Sequence, residues 1–210
     1  MSKKREGRVT VKKTEFKILV RAKEIIEAYD NYDTMVSVLM KEYPSLPTVT
    51  IMQCIVVQLR LKITKQCPRW IQEDLYRRLK KHGCQTTVTK FNNLLTYAGE
   101  RYLARVIANN ADMTTLMITN NTDTPLASHS FNDFYDPLTD IYVEEHMHTE
   151  AYSRGDTITN EFLIGFAAAN FTWKKIGLRN RHNTLIAQQT YDYSGKTDTS
   201  AVNVIWELDT

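Results

Sequence analysis

Apolar residues along this 210-residue chain fall into two regimes, helical first and strand-like later. From Phe16 to Tyr43 they recur every three or four positions, through Phe16, Leu19, Val20, Ile25 and Ile26, then Met35, Val36, Val38, Leu39 and Met40. That spacing keeps one side of a helix apolar and predicts two helices, the second capped by Asp33 or Thr34. Pro44 and Pro47 end it, since proline lacks an amide donor and restricts the residue before it. The next run, Ile51 to Ile63, is ambiguous. Its first part suits a buried helix, while VVQLRLKIT alternates as a strand does; it is read here as a helix.

Pro68 opens a further amphipathic stretch in which Trp70, Ile71, Leu75, Tyr76 and Leu79 share one helical face. Arg77, Arg78, Lys80 and Lys81 lie largely on the other, and Gly83 is placed to stop the helix in a left-handed conformation. Thr86 or Thr87 can cap another helix carrying Val88, Phe91, Leu94, Leu95 and Ala98, ended by Gly99.

Beyond Asn110 the helical period fades. Runs such as DMTTLMITNN, TDIYVEEHMHT, EFLIGFAAANFTW, NTLIAQQTYDYSG and TSAVNVIWEL are rich in β-branched and aromatic residues. They are separated by turn residues and predict four to six strands, with alternation clearest from Ala201 to Leu208. The expected class is therefore α+β, a helical N-terminal half followed by a mostly antiparallel β-rich C-terminal half. No linker composition marks a boundary near residue 110, so a helical region over 15–110 and a β region over 111–210 are expected to pack together. Residues 1–14 hold little that is apolar beyond Val9 and Val11, and are predicted to form a mobile basic arm.

Charge sharpens this division. Residues 1–105 carry 21 Lys/Arg against 10 Asp/Glu, while residues 106–210 carry 6 against 14, so a net charge of +3 conceals a basic half and an acidic half. A basic surface of this kind implies a polyanionic partner. The candidate phosphate-binding residues are Lys3, Lys4, Arg5, Arg8, Lys12 and Lys13 in the arm, with Arg77, Arg78, Lys80, Lys81 and Lys90 in the helical region. Tyr97, Tyr102, Tyr191 and Tyr193 can stack on unpaired bases, but core packing is the better reading of them.

Other chemistry is poorly represented. G-x-S-x-G, P-loop, G-x-G-x-x-G and H-E-x-x-H motifs are all absent, so an enzyme is not expected. Cys54, Cys67 and Cys84 are odd in number and widely spaced, which fits neither a disulfide framework nor a zinc site. The carboxylates and imidazoles from Asp133 to Glu150 have the donor types of a divalent-cation site, yet read more simply as a solvated face. No cofactor is expected. The chain lacks a signal-peptide core and any run long enough to span a membrane, which points to an intracellular protein.

The helix pair over residues 68–99 resembles the helix–turn–helix of winged-helix DNA-binding domains. The likeness rests on Glu73-Asp74-Leu75-Tyr76 with Leu79 and Gly83, then Thr87-Val88, Leu94-Leu95 and Ala98-Gly99. It implies that Gln85, Thr86, Thr89, Lys90, Asn92 and Asn93 face the major groove, with wing strands at Tyr102–Ala108 and Thr115–Thr119. Cations are dense from Arg77 to Lys81 and sparse from Thr86 to Asn93, which favours backbone holding over base reading. The expected function is a non-enzymatic protein that binds RNA or DNA mainly through phosphates and self-associates through its β-rich half. In general character it is similar to small viral coat or nucleocapsid proteins, which would place it in a virion. The alternative is a winged helix–turn–helix transcriptional regulator with a C-terminal dimerisation or sensing region.

Overall fold

The computed structural model describes residues 7–82, 84–99, 113–146, 152–154, 157–193 and 196–209. Its class is α+β, with a helical layer and an antiparallel sheet. The first strand, β1 (Gly7–Glu15), is followed by α1 (Lys17–Ala28), α2 (Tyr32–Glu42), α3 (Thr48–Thr64) and α4 (Arg69–Lys80). Strand β2 (Gln85–Leu95) then precedes β3 (Met113–Thr119), β4 (Tyr142–His146), β5 (Tyr152–Arg154), β6 (Thr157–Ile164), β7 (Trp173–Asn180), β8 (Leu185–Tyr193) and β9 (Ser200–Asp209).

The helices follow the apolar period. Ile18, Leu19, Ala22, Ile25 and Ile26 bury one face of α1, and Ile51, Cys54, Ile55, Val57 and Leu61 bury one face of α3. The ambiguous run is thus a single helix, started after Pro47 and ended at Lys65, whose φ is 57°. The cap of α2 is Asn31 rather than Asp33 or Thr34; its side chain accepts the Thr34 amide at 3.0 Å. In α4 the buried residues are Gln72, Leu75 and Leu79, whereas Trp70, expected on that face, is 70 % exposed.

Two expectations fail on strands. From Gly7 onward the expected arm is β1, held between β2 and β9 with Val9 and Val11 fully buried. Two valines two residues apart are enough to seat a strand when both neighbours supply its hydrogen bonds. Residues 1–6 lie outside the described residues. The expected recognition helix is β2, so there is no helix–turn–helix here. Its run Thr86-Thr87-Val88-Thr89 is β-branched, and β1 offers it a nine-residue antiparallel register from Glu15–Gln85 to Gly7–Asn93. Of the expected wings, Thr115–Thr119 lies in β3 and Tyr102–Ala108 lies outside the described residues, as does Gly83.

Every pairing is antiparallel, in the order β4-β3-β7-β8-β2-β1-β9-β6-β5. Strand β2 belongs to both halves of this sheet, pairing with β1 over most of its length and with β8 at Leu94 and Leu95. The sheet folds over on itself there. Val9, Val11, Phe162, Val202, Val204 and Trp206 from one half meet Leu116, Ile118, Trp173, Ile176, Leu178 and Ile186 from the other in one apolar core. The edge strands β4 and β5 are neighbours in sequence, so the chain between His146 and Tyr152 holds the two ends of the sheet within about 20 Å. Strand β6 packs against β3 and β4, consistent with that closure.

The two outer faces are covered differently. Helices α1–α4 lie over Leu163, Phe166 and Ala201 and enclose a second core. The segment 120–141 covers the opposite outer face, where Phe134 packs on Met117 and Leu185. Gly177 lets Phe134 approach β7; a Cβ there would stand 2.5 Å from its ring. Lys175, fully buried on the same face, donates to the Phe134 carbonyl at 3.0 Å. Among the described residues no helix is long and apolar enough to cross a membrane, which says nothing of strands.

Candidate nucleic-acid interface

Alternation along β1 sends Val9 and Val11 into the core and Arg8, Thr10 and Lys12 to the outer face. Cα partners then set three rows across that face. Val88, Lys12, Asn203 and Leu163 form the first, Lys90, Thr10, Ile205 and Glu161 the second, and Asn92, Arg8, Glu207 and Thr159 the third. Helix α4 overhangs one side of these rows. A cavity of about 210 Å³ there is lined by Tyr76, Arg77 and Lys80 of α4 with Glu161, Leu163 and Asn203 of the sheet.

The folded chain therefore gathers Arg8, Lys12 and Lys90 from two strands with Arg77 and Lys80 from α4, while Lys81 is exposed just beyond the helix end. Among the described residues none of these six is in an ion pair; Lys80 lies over the Tyr76 ring at 5.7 Å, and Arg77 donates to the Glu73 carbonyl at 3.3 Å. Their charge is open to a partner. Two other cations of α4 are already compensated. Arg78 is tied to Asp74 and Arg69 to Glu73, both at 2.8 Å, and the Arg78 hydrogen bond holds the Asp74 carboxyl below its usual range. Lys13 points to the other face, where it pairs with Glu15 at 2.7 Å and lies over the Tyr193 ring at 5.4 Å. Arg78 and Lys13 thus already have acid partners within the chain, and Lys3, Lys4 and Arg5 lie outside the described residues.

Because β2 is a strand, Thr89 and Lys90 face opposite ways, and the residues expected to read a groove do not share a surface. Glu207, opposite Arg8 on β9, and Glu161 on β6 bound the basic strip, and Glu161 is held by Asn203, which donates at 2.5 Å. Core packing holds for two of the four tyrosines: Tyr191 and Tyr193 stack with Trp173 and Phe91 inside, whereas Tyr97 is exposed against that expectation and Tyr102 lies outside the described residues.

In the acidic segment, the described carboxylates have protein partners. Asp133 caps the short turn at Ser130 and is held below its usual range by that hydroxyl and amide. Asp140 accepts from the Asp136 amide at 2.6 Å and from Asn121 at 2.7 Å, and Glu144 pairs with Arg179 at 2.6 Å. Among the described residues no group of three or more His, Cys, Asp or Glu is placed to hold a metal ion.

Three features escape a reading of the sequence. A cavity of about 570 Å³ lies where the starts of α1 and β2 meet the end of α4 and the α2–α3 loop. Its walls come from four stretches of chain, so no local motif announces it. A second cavity, about 250 Å³, holds Glu145, whose side chain is 15 % exposed; burial pushes its carboxyl up against the opposing pull of Arg69, 3.9 Å away. Third, Lys196 is buried at 2 % exposure and donates to Asn170 Oδ1 at 2.7 Å. No known protein family, curated protein or solved structure matches this chain.

Proposed function

We propose that this protein is a non-enzymatic, structural nucleic-acid-binding protein of the coat or nucleocapsid kind, acting within a cell or a virion. One observation carries the reading: six cations, Arg8, Lys12, Arg77, Lys80, Lys81 and Lys90, come together on or beside one sheet face without ion-pair partners among the described residues. Such a strip neutralises phosphates and releases their counterions, which gives affinity with little sequence preference. The acidic segment 120–141 covers the opposite face of the molecule, so a bound strand meets the helical side first, and self-association uses the β-rich half that carries this segment. The regulator alternative loses its recognition element, because residues 85–95 are a strand within the sheet.

The test is the salt dependence of binding to single-stranded RNA and to duplex DNA of several sequences. Affinity should fall steeply and linearly on a log–log plot, with little difference between sequences. Replacing Lys12 and Lys90 together by Glu should flatten the slope by roughly 1.5 to 2, as two phosphate contacts imply. Binding that keeps its slope in that variant, or that shows strong preference for one sequence, would overturn the proposal.

A further inference from the structure

Leu138 is 92 % exposed, yet the turn that carries it is firmly held. Asp136 accepts the Leu138 amide at 2.9 Å, the Asp140 amide donates to the Asp136 carbonyl at 2.9 Å, and the Asp140 carboxylate accepts from the Asp136 amide and from Asn121. Tyr135, just before the turn, stacks on Tyr142 of β4 with ring centroids 4.0 Å apart. An apolar side chain projected into water by a hydrogen-bonded turn is a poor element of a monomer and a good anchor for a contact, since little entropy remains to be lost on docking. Acids surround it. Asp123, Asp133 and Asp136 line the adjoining surface depression together with Pro137 and Leu126.

The opposite side of the molecule offers a matching recess. The 570 Å³ cavity has apolar walls from Phe16, Ile18, Leu46 and Leu79. Lys17 and His82 lie at its rim, and its one acid, Glu15, is already paired with Lys13. The start of α1 opens there without a capping side chain or an acid in its first turn, which leaves the rim more positive.

We propose that the Asp136–Asp140 turn of one copy docks into this recess of a second copy, Leu138 entering the apolar walls and the surrounding acids facing Lys17 and His82. The proposal deepens the self-association part of the reading above and rests on it. Because the helices and the 120–141 segment cover opposite outer faces, one chain cannot satisfy the contact within itself. A contact between two different patches is heterologous, so it propagates head to tail and closes into rings or runs on as filaments. The patch is small beside the ~800 Å² per partner of a stable pair. Assembly by this contact is therefore concentration-dependent and weakened by salt.

The experiment is sedimentation velocity on nuclease-treated protein over a range of concentrations, at low and moderate salt. The parent should form a growing series of species. Leu138→Asp, on a fully exposed side chain, and Lys17→Glu with His82→Glu, on the recess rim, should each weaken association by about tenfold or more while keeping the parent's melting temperature. Mixed together, they should form one-to-one dimers that go no further, because the Leu138→Asp chain keeps an intact recess and the rim variant keeps an intact turn. Alkylation of Cys84, which lines the recess, should slow on association in the parent and not in Leu138→Asp. A parent that stays monomeric at every concentration, a Leu138→Asp variant that associates like the parent, or a mixture that fails to pair would each overturn the proposal. RNA binding by Leu138→Asp, measured in parallel, should match the parent's; its loss would count against the placement of the basic strip and not against this contact.

Discussion

Asn160 and Lys196 show how single side chains set the tolerance of this fold. Asn160 is fully buried in β6 opposite Trp206, and neither of its amide atoms nor the Trp206 indole N–H has a hydrogen-bond partner among the described residues. An unpaired buried amide costs about 1–3 kcal/mol, so Asn160→Leu should raise the denaturant midpoint without changing the slope of the transition. A lower midpoint would show that the amide has a partner in solution. Lys196 is pushed down to about 7 by burial, with Glu145 and Asp198 pulling the other way. In the unfolded chain a lysine holds its proton to about pH 10.4, so between these values the unfolded state binds more protons and stability rises with pH. The penalty is fully present below pH 7 and is relieved as pH climbs toward 10, by up to about 1.4 kcal/mol per unit. Chemical denaturation at pH 7 and pH 9 should show a gain in the parent that Lys196→Met lacks; equal gains in both would remove Lys196 as its cause.

At the scale of elements, what could be read from the sequence was whatever depended on local period. Helices α1 to α4 lie where apolar residues recur at three and four, because one side of each helix alone decides its burial. Strands β1 and β2 were hidden. Each is central in the sheet, and its stability comes from partners distant in sequence, so two valines and a run of threonines gave no local warning. Strand β7 was obscured by its charges, Lys174, Lys175 and Arg179, although Lys175 is fully buried. The basic residues themselves were visible, but their grouping required the register of β1 against β2 and the overhang of α4. Deletion tests this difference sharply. Removing residues 1–13 takes out most of a central strand and should abolish cooperative unfolding. A cooperative transition in that deletion would return β1 to the role of a dispensable arm. Gly177→Ala is a finer probe of the opposite face. The added methyl crowds Phe134 and Met117, and overpacking of this kind should cost about 1–3 kcal/mol, read as a lower melting temperature.

The whole molecule is a sheet folded on itself, with a helical layer on one outer face and an acidic, turn-rich segment on the other. Charge that looks like a division between the two halves of the sequence becomes, after folding, a division between two sides. Nucleic acid should therefore shield one side only. Lysine acetylation read by mass spectrometry should show Lys12, Lys80 and Lys90 protected by RNA, and Lys174, which pairs with Asp192 at 2.8 Å, modified at the same rate with or without it. Uniform protection would mean that the charge division does not orient the bound strand.

The place of β1 between β2 and β9 also governs how the chain can be made. Val9 lies opposite Phe91 and Trp206, so β1 gains its second neighbour only after everything between β2 and β9 has been made. Such long-range pairing slows folding, and until β9 arrives β1 presents an open edge. The helices between them have local contacts and can form early, before the sheet that closes their core at Leu163, Phe166 and Ala201. Chains cut short before β9 then lack a completed sheet and the stable outer faces it supports. The fold is thus checked at β9, since a chain that stops before it leaves β1 with an open edge.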